Sequence, residues 1–181
     1  NFNCPEGSYS TNPYDGRARV AEFKRLVHAL HCQGIRVIMD VVYNHTYATA
    51  DSPFNKIFNK YYYRLWGENG EYFSGCGNEI ATERFMVRKY IIDSLVYWAT
   101  EFKIDGFRFD LMGLYDIETM NKIDETLHAI NPDIILYGEG WIGGDSPLAD
   151  SKRAMKLNAR HTPNIAFFSD DFRDTIKGNN F

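Results

Sequence analysis

Carboxylates and an arginine of this sequence stand at the ends of predicted strands, where reactive side chains are often found. Residues 40–45 follow one apolar run, Arg108 and Asp110 close the run 106–110, and Glu139 follows another apolar run. Because strand side chains alternate between two faces, Arg108 and Asp110 share one face. A buried guanidinium and a buried carboxylate have to be paired. We therefore expect Asp110 to stay ionised.

Glu139 has a different predicted setting. It lies between Gly138 and Gly140, after an apolar strand and before Trp141. Apolar surroundings favour the protonated form of a carboxyl group. One ionised and one protonated carboxyl group match a retaining glycosidase, whose nucleophile and general acid/base stand about 5 to 5.5 Å apart. The interval of 29 residues from Asp110 to Glu139 fits about one strand–helix unit, which places the two acids on adjacent strands.

The elements that must position these groups alternate between helix and strand. Apolar residues at helical spacing predict helices, and short β-branched runs predict buried parallel strands. The predicted helices are 17–33, 81–102, 117–130, a weaker one at 151–158 and one that begins near residue 170. The predicted strands are 35–42, 106–110, 134–138 and 165–168. This alternation predicts a parallel α/β sheet with ligands at the carboxyl ends of its strands.

The first predicted strand and the segment after it have unusual compositions. The strand 35–42 is nearly all apolar, which predicts cover on both of its faces. The segment 43–79 is long and rich in aromatic residues. A loop of that length inside a compact domain is usually functional.

Composition limits the function classes. The chain has 181 residues, a formal net charge of −4 and 44% hydrophobic residues, so we expect a folded protein. The mild acidity predicts no nucleic-acid partner, and the lack of a long apolar run predicts no membrane span. A complete (β/α)8 barrel needs roughly 200 to 250 residues, more than the chain has.

The ends and the cysteines carry less information. The chain opens on Asn1, and no signal peptide is visible in the sequence. We expect it to be an internal segment, which leaves localisation and oligomeric state unassigned. Cys4, Cys32 and Cys76 are expected to be free thiols because their number is odd and their spacing scattered. No spacing fits a structural zinc site, and no metal ligand is assigned.

Structural interpretations compete for individual residues. A lone acid at a strand end is often a helix cap, and His45 fits a hydrogen-bonded core histidine. Trp66 and Trp141 fit either core aromatics or stacking platforms for sugars. The run 138–143 matches G-x-G-x-x-G, but a dinucleotide site needs an opening helix, which residues 145–147 interrupt. A nucleotide-binding domain is therefore the weakest alternative.

Three stretches carry a resemblance to a known family. Residues 40–45, 106–110 and 137–141 resemble the first, second and third conserved regions of glycoside hydrolase family 13, the α-amylase superfamily. Residues 5–10, 75–84 and 110–114 are similar to the debranching subfamily of type I pullulanases. The resemblance covers essentially the whole chain. It implies that residues 1–181 form the central part of a catalytic (β/α)8 TIM barrel, with the third to sixth of eight strands and their helices.

The resemblance also implies roles for residues. Asp110 would be the nucleophile and Glu139 the general acid/base, while Arg108 holds the nucleophile and binds substrate. His45 would bind the sugar at the cleaved subsite, and Asp40 would support the site. The other implied substrate-binding residues are Tyr43, Asn44, Asn78, Glu79, Leu111, Met112 and Trp141.

The activity implied by the resemblance is hydrolysis of α-1,6 branch linkages, with retention, in pullulan-, starch- or glycogen-type α-glucans. Residues 112–114 stand where many α-1,4-acting relatives carry a Lys-His pair, which favours α-1,6 cleavage. No cofactor is needed for this chemistry, and the resemblance is compatible with a bound calcium ion. Since the family's fourth region, which supplies a third acid, has no match in the chain, we expect the isolated chain to be inactive. The alternatives are an α-1,4-acting amylase-family enzyme and a non-catalytic α-glucan-binding piece.

Overall fold

The computed structural model describes residues 2–67, 71–72 and 75–178. Its centre is a parallel four-stranded sheet whose strands follow one another in the order of the chain. These strands are β1 (Ile38–Val41), β4 (Gly106–Phe109), β5 (Ile135–Gly138) and β6 (Ala166–Phe167). The short strands β2 (Leu65–Trp66) and β3 (Glu71–Tyr72) form a separate antiparallel pair. The predicted parallel α/β sheet is confirmed.

The described part of the chain has five α-helices. They are α1 (Gly16–Cys32), α2 (Pro53–Ile57), α3 (Phe85–Glu101), α4 (Ile117–Ile130) and α5 (Asp170–Lys177). The side chains of Asp15 and Asp116 accept backbone N–H groups at the first turns of α1 and α4, as good N-caps do. None of the described helices is long and apolar enough to span a bilayer.

The two faces of the sheet differ. Phe107 and Phe109 are fully buried and share one core with apolar side chains of α3 and α4. On the other face Asp40 and Arg108 are partners in register, and the Asp40 side chain is 62% exposed. The expectation that the first strand is covered on both faces is therefore wrong. We call this second face the open face.

Two predicted elements differ from the structure. The helix predicted over 151–158 is replaced by two 3-10 helices, Asp150–Lys152 and Lys156–His161. The break falls at Arg153, which is extended and forms an isolated antiparallel bridge with Asp116. The segment 43–79 also holds more structure than expected, because α2 and the β2–β3 pair lie inside it.

Candidate active site

The centre of the site is the guanidinium of Arg108, on the open face at the carboxyl ends of the strands. Its Nη1 donates to Asp40 Oδ1 at 2.8 Å and to Asp110 Oδ1 at 3.1 Å. Its Nη2 donates to Glu139 Oε1 at 2.6 Å. One cation thus holds three carboxylates from neighbouring strands: Asp40 lies within β1, while Asp110 and Glu139 directly follow β4 and β5. The expected pairing of Arg108 with Asp110 is confirmed.

The electrostatics of this cluster favour a permanently charged Arg108. Partial burial opposes the charge, but the hydrogen bonds to Asp40 and Asp110 and the charges of Asp40 and Glu139 raise the pKa of Arg108 above its ordinary value. The Asp110 and Glu139 side chains are 26% and 17% exposed. Both acids are therefore sheltered and still open to a ligand.

Glu139 does not lie in the apolar surroundings that the sequence predicts. Its Oε1 accepts from Arg108, and its Oε2 accepts from the backbone N–H of Leu111 at 2.9 Å. Both oxygens therefore have strong donors, and the prediction of an apolar setting is wrong. The sequence places Gly138 and Gly140 next to Glu139, but it does not show which groups of other strands reach the carboxylate.

A tight turn over residues 111–114, which we call the 111–114 turn, connects the two acids. Leu111 has a left-handed backbone conformation, with φ of 40° and ψ of 50°. The N–H of Gly113 donates to the carbonyl oxygens of Glu139 and Trp141, at 3.2 and 3.1 Å. A Cβ atom on Gly113 would lie 2.5 Å from the Trp141 oxygen, so this approach needs glycine.

Asn44, in the loop after β1, contacts Asp110, and His45 contacts Asn44. Asn44 Nδ2 donates to the Asp110 carbonyl oxygen at 2.7 Å and to Asp110 Oδ2 at 3.0 Å. Asn44 Oδ1 is hydrogen-bonded to His45 Nδ1. Asn44 is fully buried and holds Asp110 in this structure, and its contact with substrate stays a prediction. His45 is only partly buried and remains open to a ligand.

Aromatic rings border the acids on the other side. Trp141 is partly buried, and its ring centroid lies 6.2 Å from that of Phe168. Phe168 is 39% exposed, and the Arg108 guanidinium carbon lies 5.7 Å from its centroid. Trp141 therefore keeps the exposed surface that a sugar platform needs. Sequence reasoning missed Phe168, although its place at the end of a predicted strand was a usable signal.

Two predicted substrate-binding residues are buried behind the site. Tyr43 is 1% exposed, and its hydroxyl is hydrogen-bonded to Ser94 of α3 at 2.6 Å. Burial raises the pKa of this phenol well above its ordinary value. Met112 is 0% exposed and belongs to the core, whereas Leu111 is partly exposed. In this structure Tyr43 and Met112 have packing roles, and their substrate-binding assignments stay predictions.

Asn78 and Glu79 are also buried. Asn78 is 3% exposed and exchanges hydrogen bonds with the backbone of Thr46, at 2.9 and 2.6 Å. Glu79 is 0% exposed and forms an ion pair with Arg64. In this structure Asn78 fixes the loop after His45, and Glu79 belongs to an ionic cluster around Arg64. Their substrate-binding assignments stay predictions.

This buried ionic cluster is the Arg64 cluster, defined by Arg64, Glu79, Glu83 and Ser146. Arg64 donates to Glu83 Oε2 from Nε and Nη2, at 3.0 and 2.8 Å. Ser146 donates its hydroxyl to Glu79 Oε1 at 2.6 Å. The other carboxylate oxygen of Glu79 is buried and accepts no hydrogen bond within the described residues. Sequence reasoning missed this cluster.

Cys4, Cys32 and Cys76 form no disulfide within the described residues, as expected of thiols. Burial, and then the charge of Asp110, raise the pKa of the Cys76 thiol. The described residues hold no group of three or more His, Cys, Asp and Glu side chains suited to a metal ion.

Comparison with known proteins gives one consistent result. No protein-family model matches the chain. The chain is 46% identical to the pullulanase of Bacillus subtilis strain 168 over 99% of its own length and 25% of the relative's. It matches a solved structure of the Paenibacillus barengoltzii pullulanase with maltohexaose and alpha-cyclodextrin, with a TM-score of 0.95 and 49% identity, over 99% of this chain and 28% of that one.

A second solved structure agrees. The Anoxybacillus pullulanase complexed with maltotriose matches with a TM-score of 0.95 and 49% identity, over 99% of this chain and 26% of that one. The chain therefore spans about a quarter of the length of the proteins that it matches.

Proposed function

This chain belongs to the pullulanase family, and from that premise we propose that the protein containing it is a debranching glycoside hydrolase. Its substrate would be an α-glucan with α-1,6 linkages. One support is that essentially the whole of this chain matches pullulanases. Another is that similar solved structures are pullulanases with bound maltooligosaccharides. The single observation on this chain that carries the proposal is the clamp of Asp110 and Glu139 by one guanidinium.

We propose a retaining mechanism for this pair. Asp110 attacks the anomeric carbon while Glu139 donates a proton to the departing glycosidic oxygen. The glycosyl–Asp110 ester is then hydrolysed by a water molecule that Glu139 deprotonates. The short separation implied by two carboxylates on one guanidinium favours the retaining geometry over the wider inverting one. Arg108 and Asn44 hold Asp110 in place for attack, and Arg108 also orients Glu139.

The sheet supports a finer proposal about the fold. Its four parallel strands follow chain order, and its described helices α3 and α4 share a core with one face only. A (β/α)8 barrel has this order and this one-sided cover. We propose that β1, β4, β5 and β6 are the third to sixth strands of such a barrel and that the open face is its interior. Residues 1–181 would then be the central part of the catalytic domain.

The remaining expectations stay proposals. The isolated chain is proposed to be inactive because it has no counterpart of the family's fourth region with its third acid. For calcium, the described residues offer no suitable group of side chains, so no step is assigned to a metal. His45, Leu111 and Trp141, which keep exposed surface, are proposed to contact the sugar.

The test uses pullulan and the full-length protein that contains this chain. Release of maltotriose with initial retention of the anomeric configuration, followed by NMR, is the expected result. Release of α-1,4 cleavage products from amylose would instead indicate an amylase. If neither polymer is cleaved but pullulan still binds, the non-catalytic alternative holds. The isolated 181-residue chain, assayed in parallel, should show no turnover.

A further inference from the structure

Arg64, in the long segment between β1 and α3, is buried and contacts the turn that follows Asp110. The side chain of Arg64 is only 3% exposed. Its Nη1 donates to the carbonyl oxygen of Leu114 at 2.7 Å, and the same nitrogen pairs with Glu79. Since Leu114 closes the 111–114 turn, the guanidinium holds the end of the turn that is farther from Asp110.

The near end of the same turn holds Glu139. The N–H of Leu111 donates to Glu139 Oε2 at 2.9 Å. Inside the turn, the N–H of Gly113 donates to the carbonyl oxygen of Glu139 at 3.2 Å. The turn is therefore fixed between Arg64 on one side and the side chain and backbone of Glu139 on the other.

A third loop fixes Arg64 through its partner Glu79. Ser146, which lies downstream of Glu139 in the loop after β5, donates its hydroxyl to Glu79 at 2.6 Å. Arg153 donates to the Ser146 carbonyl oxygen at 2.7 Å. The Arg64 cluster thus joins the loops that follow β1, β4 and β5. It joins them below the surface, since the exposure of Glu79 is 0%.

We infer that Arg64 is a positioning residue for Glu139: it fixes the 111–114 turn so that the Leu111 N–H orients the Glu139 carboxylate. This inference rests on the proposed function, in which Glu139 is the proton donor. Arg64 is too deeply buried to touch a sugar and acts only through the turn. An arginine suits the place because its planar fork donates to Leu114, Glu79 and Glu83 at once, which a lysine cannot do.

A purely structural role for Arg64 would slow every substrate equally, so the test compares two substrates with different needs for Glu139. Cleavage of pullulan needs a proton for the departing sugar oxygen and a base for the attacking water. With α-maltotriosyl fluoride and sodium azide, fluoride leaves unprotonated, and azide attacks the glycosyl–enzyme without a base to give the glycosyl azide. Neither step then needs proton transfer by Glu139.

The experiment measures kcat and KM of the full-length protein carrying Arg64→Met on both substrates. Misplacement of a reacting group costs about 10²-fold, so we expect kcat on pullulan to fall by about that factor with little change in KM. Fluoride release in azide should fall by no more than a few-fold. Equal losses on both substrates, in a protein with a normal circular dichroism spectrum, would overturn the inference.

Two further variants keep the test decisive. Arg84 lies in the same segment and donates to the Lys60 carbonyl oxygen at 2.9 Å without contacting the turn, so Arg84→Met should leave both rates unchanged. If Arg64→Met does not fold, Arg64→Lys replaces it. We then expect a smaller fall in kcat on pullulan that still exceeds the fall in fluoride release. Wild-type protein that cleaves no pullulan would refute the proposed function itself. Active wild type with equal losses refutes only the role of Arg64.

Discussion

Two arginines, Arg108 and Arg64, gather carboxylates in this molecule, and their surroundings are opposite. Arg108 is 18% exposed and faces Asp40, Asp110 and Glu139 at the open face. Arg64 is 3% exposed, and its partner Glu79 is 0% exposed. The same ionic chemistry therefore occurs once where a ligand can reach it and once where it cannot.

The difference in burial changes what each pair of charges does. Ion pairs in contact with water add little to stability. A buried ion pair adds little stability compared with apolar side chains packed in the same place. Removing one of its partners is nevertheless costly, because the other charge stays buried and unpaired. In the Arg108 cluster one cation meets three carboxyl groups, so negative charge is left for chemistry. Arg64 meets the buried Glu79 and the partly exposed Glu83, and its remaining donors go to a backbone carbonyl and a hydroxyl, so its charge serves geometry.

The largest expected effect tests the chemical side of this comparison. Asp110→Asn in the full-length protein removes the nucleophile, and kcat on pullulan should fall about 10⁴-fold or more. The thermal midpoint should stay close to that of the wild type, because Asp110 is partly exposed. Asp93→Asn, at an exposed position of α3, is the matched control with full activity. An active Asp110→Asn variant would contradict the chemical role of the Arg108 cluster.

The next effect concerns stability. Arg64→Met leaves Glu79 buried and unpaired, so the free energy of unfolding should fall by about 3–5 kcal/mol. Arg108→Met removes a partly exposed cation and should cost about 1 kcal/mol. Urea unfolding of the full-length protein, followed by tryptophan fluorescence, measures both. Equal losses would show that the two clusters are not energetically different.

A double-mutant cycle sharpens the same distinction with a smaller signal. Arg64→Met combined with Glu79→Leu removes the buried charge as well as its partner. The double variant should therefore be about 2 kcal/mol more stable than Arg64→Met alone. The corresponding cycle of Arg108→Met with Asp40→Asn should show a coupling below about 1 kcal/mol, since Asp40 is largely exposed. Similar couplings in both cycles would contradict the comparison.

The smallest expected effect uses Cys76 as a reporter of the Arg108 cluster. Burial and the negative charge of Asp110 both raise the pKa of the Cys76 thiol, so Asp110→Asn should lower it. The thiolate is the reactive form, and alkylation by iodoacetamide at a fixed pH should become faster. The measurement needs a background with Cys4 and Cys32 replaced by serine. Glu79→Gln, in the buried cluster, should not change the rate.

The sequence was most informative where a local pattern decides the structure. Alternation of side chains along 106–110 was enough to pair Arg108 with Asp110. Helical spacing predicted α4 with its observed bounds, Ile117–Ile130, because Asn131 and Pro132 follow it directly. Strand positions were also predicted, because short apolar runs flanked by polar residues are characteristic of parallel sheets.

What the sequence could not predict depends on contacts between distant segments. Arg64 and Glu79 are both charged residues in an aromatic-rich segment, and no local pattern marks them as a buried pair. The environment of Glu139 was predicted wrongly for the same reason, since its donors Arg108 and Leu111 come from another strand and its following turn. Short elements such as α2 and the β2–β3 pair leave too few residues for a periodic pattern.

The left-handed backbone of Leu111 has a consequence for how this position can vary. A residue other than glycine in this conformation costs on the order of 1 kcal/mol or more, and the cost falls on the residue directly after Asp110. The conformation aims the Leu111 N–H at Glu139, while its side chain lies close to Gly143. Two features therefore limit which residues fit at this position: the left-handed backbone and the contact with the loop that contains Gly143. Variants at residue 111 would therefore differ first in whether they fold, and only then in their preference for a sugar.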